Sequence, residues 1–169
     1  MIIDFNKTHW DDISIIYKAG IDSGIATLET KLPRWEEWHN SHLSICRLAY
    51  KESDDLIGFV CLSQVSSRPA YKGVAELSIY IHPNHQNKGI GTKLIQELVK
   101  QAEENGIWTL TSGIFKINQG SINFHLRNGF RIVGTNHQQG LRHGKFFDIV
   151  RMERTSEKAR RIVIENLNI

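Results

Sequence analysis

The chain has 169 residues, 40% apolar and 23% charged, with a net charge of +3, which suits one core in one domain and argues against disorder except at the ends. No apolar run approaches the roughly 20 residues of a membrane span, and Met1 to Asp4 lacks a basic-then-apolar leader. Lysines and arginines are scattered apart from Lys158, Arg160 and Arg161, so no basic stripe marks a nucleic-acid binder.

Thr8 followed by Asp11 reads as a capping pair, and Ile13, Ile16, Tyr17 and Ile21 then recur at helical spacing. After a loop around Ala26 to Leu28, Pro33 suits a first helical turn, with Trp35 and Trp38 on one side of a short helix. Residues 44–51 and 56–64 are two antiparallel strands broken by the polar run Glu52 to Asp55. A loop over 65–73 leads to a third strand, Val74 to Ile81, which Pro83 terminates.

From Thr92 the series Leu94, Ile95, Leu98, Val99 and Ala102 predicts a helix, and Asn105-Gly106 stops it. A strand over 107–115, a helix over 120–128 closed by Gly129, and strands over 130–134 and 146–152 follow. Cys46 and Cys61 lie in apolar strand-like runs and read as buried thiols. The tail 156–169, with Ile162, Val163, Ile164 and Leu167, fits a terminal helix packed either on the body or on a partner chain.

The most informative stretch is the strand to Ile81, a Pro-bearing turn, Gln86-Asn87-Lys88-Gly89-Ile90-Gly91, and then the long helix. A helix N-terminus offers unpaired N–H groups and the positive end of a dipole, and glycines let a phosphate come close. Two glycines alone also fit a plain tight turn. A P-loop is excluded because Thr92 precedes Lys93, and a dinucleotide fingerprint because Leu94 stands where its third glycine belongs. His82 and His85 flank Pro83 without a companion Cys or carboxylate in the turn, so no metal site is expected.

Gln86, Gly89 and Gly91 meet the pattern Gln/Arg-x-x-Gly-x-Gly/Ala, and with the block Asn118 to Phe130 the chain resembles the GCN5-related N-acetyltransferases. Within them it is similar to the phosphinothricin and methionine sulfone/sulfoximine acetyltransferase group. That likeness is carried by Ile16-Tyr17, Ala26-Thr27, Arg68-Pro69-Ala70-Tyr71, Glu76 through Pro83, Asn118 to Ile122, His125, Gly129-Phe130, and Gly140 with Gly144 to Asp148. Leu28, Asn128 and Phe146 depart from it, standing where the group usually has an aromatic, a leucine and a tryptophan.

The resemblance implies an α/β fold over residues 1–155, a mixed central sheet of about six to seven strands flanked by about four helices. It implies a cytoplasmic, homodimeric enzyme that moves acetyl from acetyl-CoA to the primary amine of a small amino-acid-like molecule. Protein or peptide acetylation, and an acetyl-CoA-binding module without catalysis, are the alternatives. By the same likeness Gln86, Asn87, Lys88, Gly89, Ile90, Gly91 and Thr92 hold the cofactor diphosphate, and the backbone of Ile79, Tyr80 and Ile81 runs beside its pantetheine arm. Asn118 and Ser121 contact that arm, although Asn118 equally suits a helix cap.

An ammonium has no lone pair, so an amine acceptor needs a base. By resemblance that base is Glu76, set among apolar strand neighbours. The N–H of Tyr80 is a candidate for stabilising the oxyanion. His125 either protonates the leaving thiolate, assists the base, or packs in its helix. Arg68 with Tyr71 is placed near a substrate carboxylate, in a loop that closes over the site, and Thr27 and Phe146 complete the substrate set. Phe146 also fits a core strand aromatic.

Overall fold

Seven strands form one mixed sheet, and two central neighbours pair along only part of their length, which opens a gap in its middle. The computed structural model describes residues 1–167; residues 168 and 169 of the predicted tail lie outside the described residues. The strands are β1 Ile2–Asp4, β2 Leu48–Glu52, β3 Asp55–Gln64, β4 Val74–Ile81, β5 Thr109–Phe115, β6 Arg131–Arg142 and β7 Lys145–Thr155. They lie in the order β1-β2-β3-β4-β5-β7-β6. Every neighbouring pair is antiparallel except β4 and β5. A parallel pair needs a crossover, which helix α3 (Ile90–Glu104) supplies.

The two sheet faces are buried differently. Odd residues of β4, Ala75 and Leu77, pack with Leu62, Leu110, Val150 and Met152 beneath Leu94, Ile95 and Leu98 of α3. Phe59, Cys61 and the half-buried Tyr80 face the other way, against Ile13, Ile16, Tyr17 and Ile21 of α1 (Trp10–Ser23) and Trp38 of α2 (Trp35–Ser41). Burying a large apolar side chain contributes about 1.5–3 kcal/mol, so these two clusters hold α1 and α3 firmly on opposite faces. Helix α4 (Gln119–Arg127) adds Ile122 to the α3 side. Helix α5 (Glu157–Asn166) is capped by Ser156, whose hydroxyl accepts from the Ala159 N–H at 3.1 Å and donates to Glu103 at 2.8 Å, tying the tail to the end of α3.

Several predicted boundaries move. Thr8 is not the cap of the first helix: the Asn6 side chain accepts from the Thr8 N–H at 2.9 Å and from its hydroxyl at 2.7 Å, and α1 begins only at Trp10 after a 3-10 turn. Pro33 lies before α2, because Glu37 reaches back to the Arg34 N–H at 3.0 Å and fixes Arg34 as the cap. The strand predicted over 44–51 starts at Leu48, since Cys46 has φ +57 and cannot sit in a ladder. The short β1 was not predicted. The last two strands form a longer hairpin, turning at His143 and Gly144, both with positive φ as a tight hairpin favours.

Asn105 and Gly106 do end α3, with Gly106 at φ +75. Cys46 and Cys61 are buried and unpaired, and burial pushes their thiols up to about 11 and about 12.

Candidate active site

The gap begins where β4 and β5 part. They pair only from Val74 to Glu76 against Thr109 to Thr111, yet β4 runs on to Ile81 and β5 to Phe115. Past Glu76 one edge of β4 is therefore unpaired, and backbone groups there await a partner.

Which amides face that gap follows from the ladder on the other side. His82 N–H donates to the Ile57 carbonyl at 2.9 Å. In an antiparallel ladder, hydrogen-bonded pairs recur at every second residue, so Tyr80, opposite Phe59, is bonded to β3 as well. The Tyr80 N–H is thus committed to the sheet and is not the oxyanion donor expected from sequence; the N–H groups of Ile79 and Ile81 point into the gap. The Tyr80 ring packs on Tyr17 (centroids 5.0 Å) and on Phe59 (5.2 Å). A Cβ on Gly20 would come within 2.7 Å of that ring, so α1 approaches β4 closely only because residue 20 is glycine. Burial raises the Tyr80 phenol well above its ordinary range, and burial with the Glu29 charge pushes Tyr17 up to about 12.

At one end of the gap lies the start of α3. Asn87 (φ +60) and Gly89 (φ +76) are both left-handed, and Gly89 is the cap. The Lys93 N–H closes the first helical bond on the Gly89 carbonyl at 3.2 Å. The N–H groups of Ile90, Gly91 and Thr92 therefore have no partner within the helix. No side chain caps them, and a Cβ at Gly89 would meet nothing within 4 Å. Gly91 lets the Phe124 ring of α4 approach, since a Cβ there would stand 3.0 Å from it. An open turn of this kind takes an anionic oxygen group. Gln86, Asn87, Gly89, Ile90, Gly91 and Thr92 line one groove of about 560 Å³, which continues along Ile79 to Ile81 between α1 and α4. Lys88 is exposed beside it.

At the other end is a cavity of about 220 Å³. The groove and this cavity share Ala26, Ile79, Tyr80, Asn118 and Ser121, so a ligand laid along the groove ends in the cavity. Asn118 does two jobs: its Oδ1 accepts from the Ser121 N–H at 3.1 Å as the α4 cap, and its Nδ2 donates to the Ile25 carbonyl at 3.2 Å. That second bond straps residues 25–28 over the cavity. The Thr27 hydroxyl accepts from the Glu29 N–H at 3.1 Å, and Thr27 lines the cavity.

Glu76 lines the cavity, but its setting is not the apolar one expected. Its side chain is 38% exposed, and Oε2 accepts from Arg151 Nη2 at 2.9 Å. Arg151, on β7 opposite Gly113 of β5, was absent from the sequence-based set. Its signal was there: a lone cation between the apolar Val150 and Met152 in mid-strand.

His125 also lines the cavity and is 2% exposed. Nδ1 stands 2.8 Å from the Ser121 carbonyl, so Nδ1 carries the proton and Nε2, buried without a partner, keeps a bare lone pair. Burial holds the imidazole below its usual range, partly offset by that bond. A neutral ring with its proton committed to a carbonyl is a poor acid, so the thiolate-protonating role is corrected to a packing ring that can accept a hydrogen bond.

Three expected substrate residues stand apart from the cavity. Arg68 and Tyr71 lie on the exposed β3–β4 connection, where the guanidinium stacks over the Tyr71 ring at 5.6 Å, and neither lines the cavity. The covering loop is 25–28 rather than 65–73. Phe146 is 61% exposed near the tip of the β6–β7 hairpin, neither core nor cavity wall.

The acetyltransferase (GNAT) family model matches residues 12–130. The L-amino acid N-acyltransferase MnaT of Escherichia coli (strain K12) is 30% identical over 106 residues, 63% of this chain and 62% of that protein. The phosphinothricin N-acetyltransferase of Streptomyces coelicolor is 31% identical over 103 residues, 61% of this chain and 60% of that protein. The match thus spans less than two thirds of each of these curated relatives. Among solved structures, a GNAT superfamily phosphinothricin acetyltransferase from Sinorhizobium meliloti, in complex with AcCoA, is 28% identical with a TM-score of 0.82, covering 92% of this chain and 87% of that one.

Proposed function

The chain belongs to the acetyltransferase (GNAT) family, and from that premise we propose that it transfers acetyl from acetyl-CoA to the primary amine of a small, amino-acid-like acceptor. The observation that carries this reading is the continuity of the β4 edge: an anion cradle at the start of α3, free amides at Ile79 and Ile81, and the Glu76 carboxylate in the cavity where the groove ends. When bound, acetyl-CoA supplies a thioester carbonyl that an amine attacks with loss of a thiolate.

The chain's own part is positional and electrostatic. The amides of Ile90, Gly91 and Thr92 hold a diphosphate, and the strand edge orients the arm that follows. Glu76 takes the proton that the acceptor ammonium must lose, directly or through water. The N–H groups of Ile79 and Ile81 are aimed where negative charge builds on the carbonyl oxygen.

The named activities of the Escherichia coli and Streptomyces coelicolor relatives support an amino-acid-like acceptor. The modest cavity volume, with residues 25–28 strapped across it, supports a small acceptor over a peptide, which needs an open groove. The proposal includes a homodimer, supported by the exposed Ile132, Val133, Leu141 and Phe146 on β6 and β7. It includes a cytoplasmic setting, in keeping with two unpaired buried thiols. No described helix is long and apolar enough to cross a membrane.

The test is thiol release from acetyl-CoA with phosphinothricin, methionine sulfone, methionine sulfoximine, the standard amino acids, polyamines and peptides. Release with small amino acids is expected. Exclusive peptide acetylation would replace the acceptor assignment, and acetyl-CoA binding without release from any amine would replace catalysis with binding alone.

A further inference from the structure

The cavity contains one carboxylate, Glu76, and one cation, Arg151, among its lining residues. The proposed reaction uses the first and leaves the second unexplained. We propose that Arg151 is the acceptor-selecting residue: with the acceptor ammonium against Glu76, its guanidinium takes an anionic group on the same carbon, so the site prefers α-amino acids to the corresponding plain amines. The inference rests on the N-acetyltransferase reading and adds to it a residue and a reason for the substrate class.

Three observations carry it. First, Glu76 Oε2 and Arg151 Nη2 lie side by side at 2.9 Å. An α-amino acid likewise carries its ammonium and carboxylate side by side on one carbon, so it can exchange partners with the pair, cation to Glu76 and anion to Arg151. Second, a guanidinium has five N–H donors in a fork suited to a carboxylate, and its one side-chain hydrogen bond among the described residues is the bond to Glu76. The pair is 33% and 38% exposed, so separating it does not strand a deeply buried charge.

Third, the backbone makes room for the group. A Cβ at Gly113, opposite Arg151 on β5, would stand 2.5 Å from Nη1. The guanidinium lies over a bare stretch of β5, on the sheet face that Glu76 shares. Arg68, the arginine that sequence placed near the carboxylate, stands outside the cavity on Tyr71.

The experiment compares wild type, Arg151→Met, Arg151→Lys and Gly113→Ala in two readouts. One is kcat and KM by thiol release; the other is calorimetric binding to the CoA-loaded protein. The probes are the standard L-amino acids and methionine sulfone, each beside its decarboxylated amine. Wild type should favour the best amino acid over its amine by roughly tenfold or more, the scale of a charge-assisted bond. Arg151→Met should cut the amino acid's advantage over its plain amine in KM and Kd by that factor, whichever way the release of Glu76 from the pair moves both substrates, with the KM for acetyl-CoA unchanged. Arg151→Lys should recover part of the preference, because charge remains without the fork.

Gly113→Ala, which moves the guanidinium without deleting it, should lower the preference too, and it keeps the test open if Arg151→Met folds poorly. Equal losses for amino acid and amine, or a preference that survives both variants, would overturn the proposal. So would a wild type that binds no amino acid better than its amine. Failure of the transfer reading looks different: no thiol release from any acceptor, with the calorimetric preference still there to be measured.

Discussion

Replacing Glu76 by Gln separates a role in proton transfer from a role in holding the fold, because the structure sets the two effects far apart in size. The Glu76–Arg151 pair is more than a third exposed on one side and a third on the other, and pairs in such solvent contact contribute about 0–1 kcal/mol. Gln keeps an oxygen that accepts from Arg151, so the stability loss stays at or below that figure. For a domain of this length it corresponds to a melting shift of under about 4 °C. Removing a general base costs on the order of 10²- to 10⁴-fold in turnover, about 3–5 kcal/mol of barrier. The assay is steady-state thiol release at saturating acetyl-CoA, beside calorimetric acetyl-CoA binding and a thermal melt. Turnover should fall at least a hundredfold with cofactor affinity unchanged, since Glu76 lies at the cavity end and the anion cradle at the other. Turnover within about threefold of wild type would remove Glu76 from the chemistry.

Arg47, 6% exposed, is held by His39 Nδ1 and by the carbonyls of His39, Leu43 and His42, with its guanidinium over Trp35 and Trp38. Arg47→Ala removes a buried guanidinium together with its four part-buried hydrogen bonds and its packing on the two tryptophans, and should cost about 2–4 kcal/mol in urea unfolding. Burial holds His42 and His125 below the usual imidazole range, so below pH about 6.5 the unfolded chain binds more protons than the folded one. Stability should be level above that pH and fall as pH drops toward the folded-state values, and His125→Leu should reduce the slope in urea melts at pH 7.5 and 5.5. His125→Asn, which keeps a donor near the Ser121 carbonyl, should leave kcat within about tenfold of wild type; a loss beyond a hundredfold would restore His125 as an acid. Asn118→Asp keeps the α4 cap but loses the donor to the Ile25 carbonyl. Hydrogen exchange should then rise at residues 25–28 and the acceptor KM should increase, with α4 unchanged.

What was legible in the sequence was whatever local periodicity or backbone chemistry writes down. Leu94, Ile95, Leu98 and Ala102 repeat at the pitch of α3, and Gly106 ends it in a left-handed conformation that costs glycine little and other residues more. The β6–β7 hairpin is longer than its apolar pattern indicates because residues 135–142 are mostly polar. They form the sheet's edge strand, where one side has no core to bury against, and a bulge between Asn136 and Gly140 breaks the alternation. Thr8 misled because a better acceptor, Asn6, stood two residues earlier, and spacing alone cannot say which side chain takes the amides first.

The site divides along the same line. The anion cradle is contiguous in the chain, so Gln86, Gly89 and Gly91 were visible as a unit. The cavity is assembled from β4, β7, α4 and a loop before α2, and no sequence spacing connects Glu76 to Arg151 across β5. Charge made Arg68 and Arg151 equally available to a carboxylate; only the sheet register, which puts Arg151 over Gly113, brings one of them into the cavity. The Tyr80 amide shows the limit most plainly: along a strand the N–H direction alternates, and which parity faces a ligand is fixed by the neighbouring strand. One hydrogen bond, His82 to Ile57, decides that Ile79 and Ile81, rather than Tyr80, offer their amides to whatever lies in the gap.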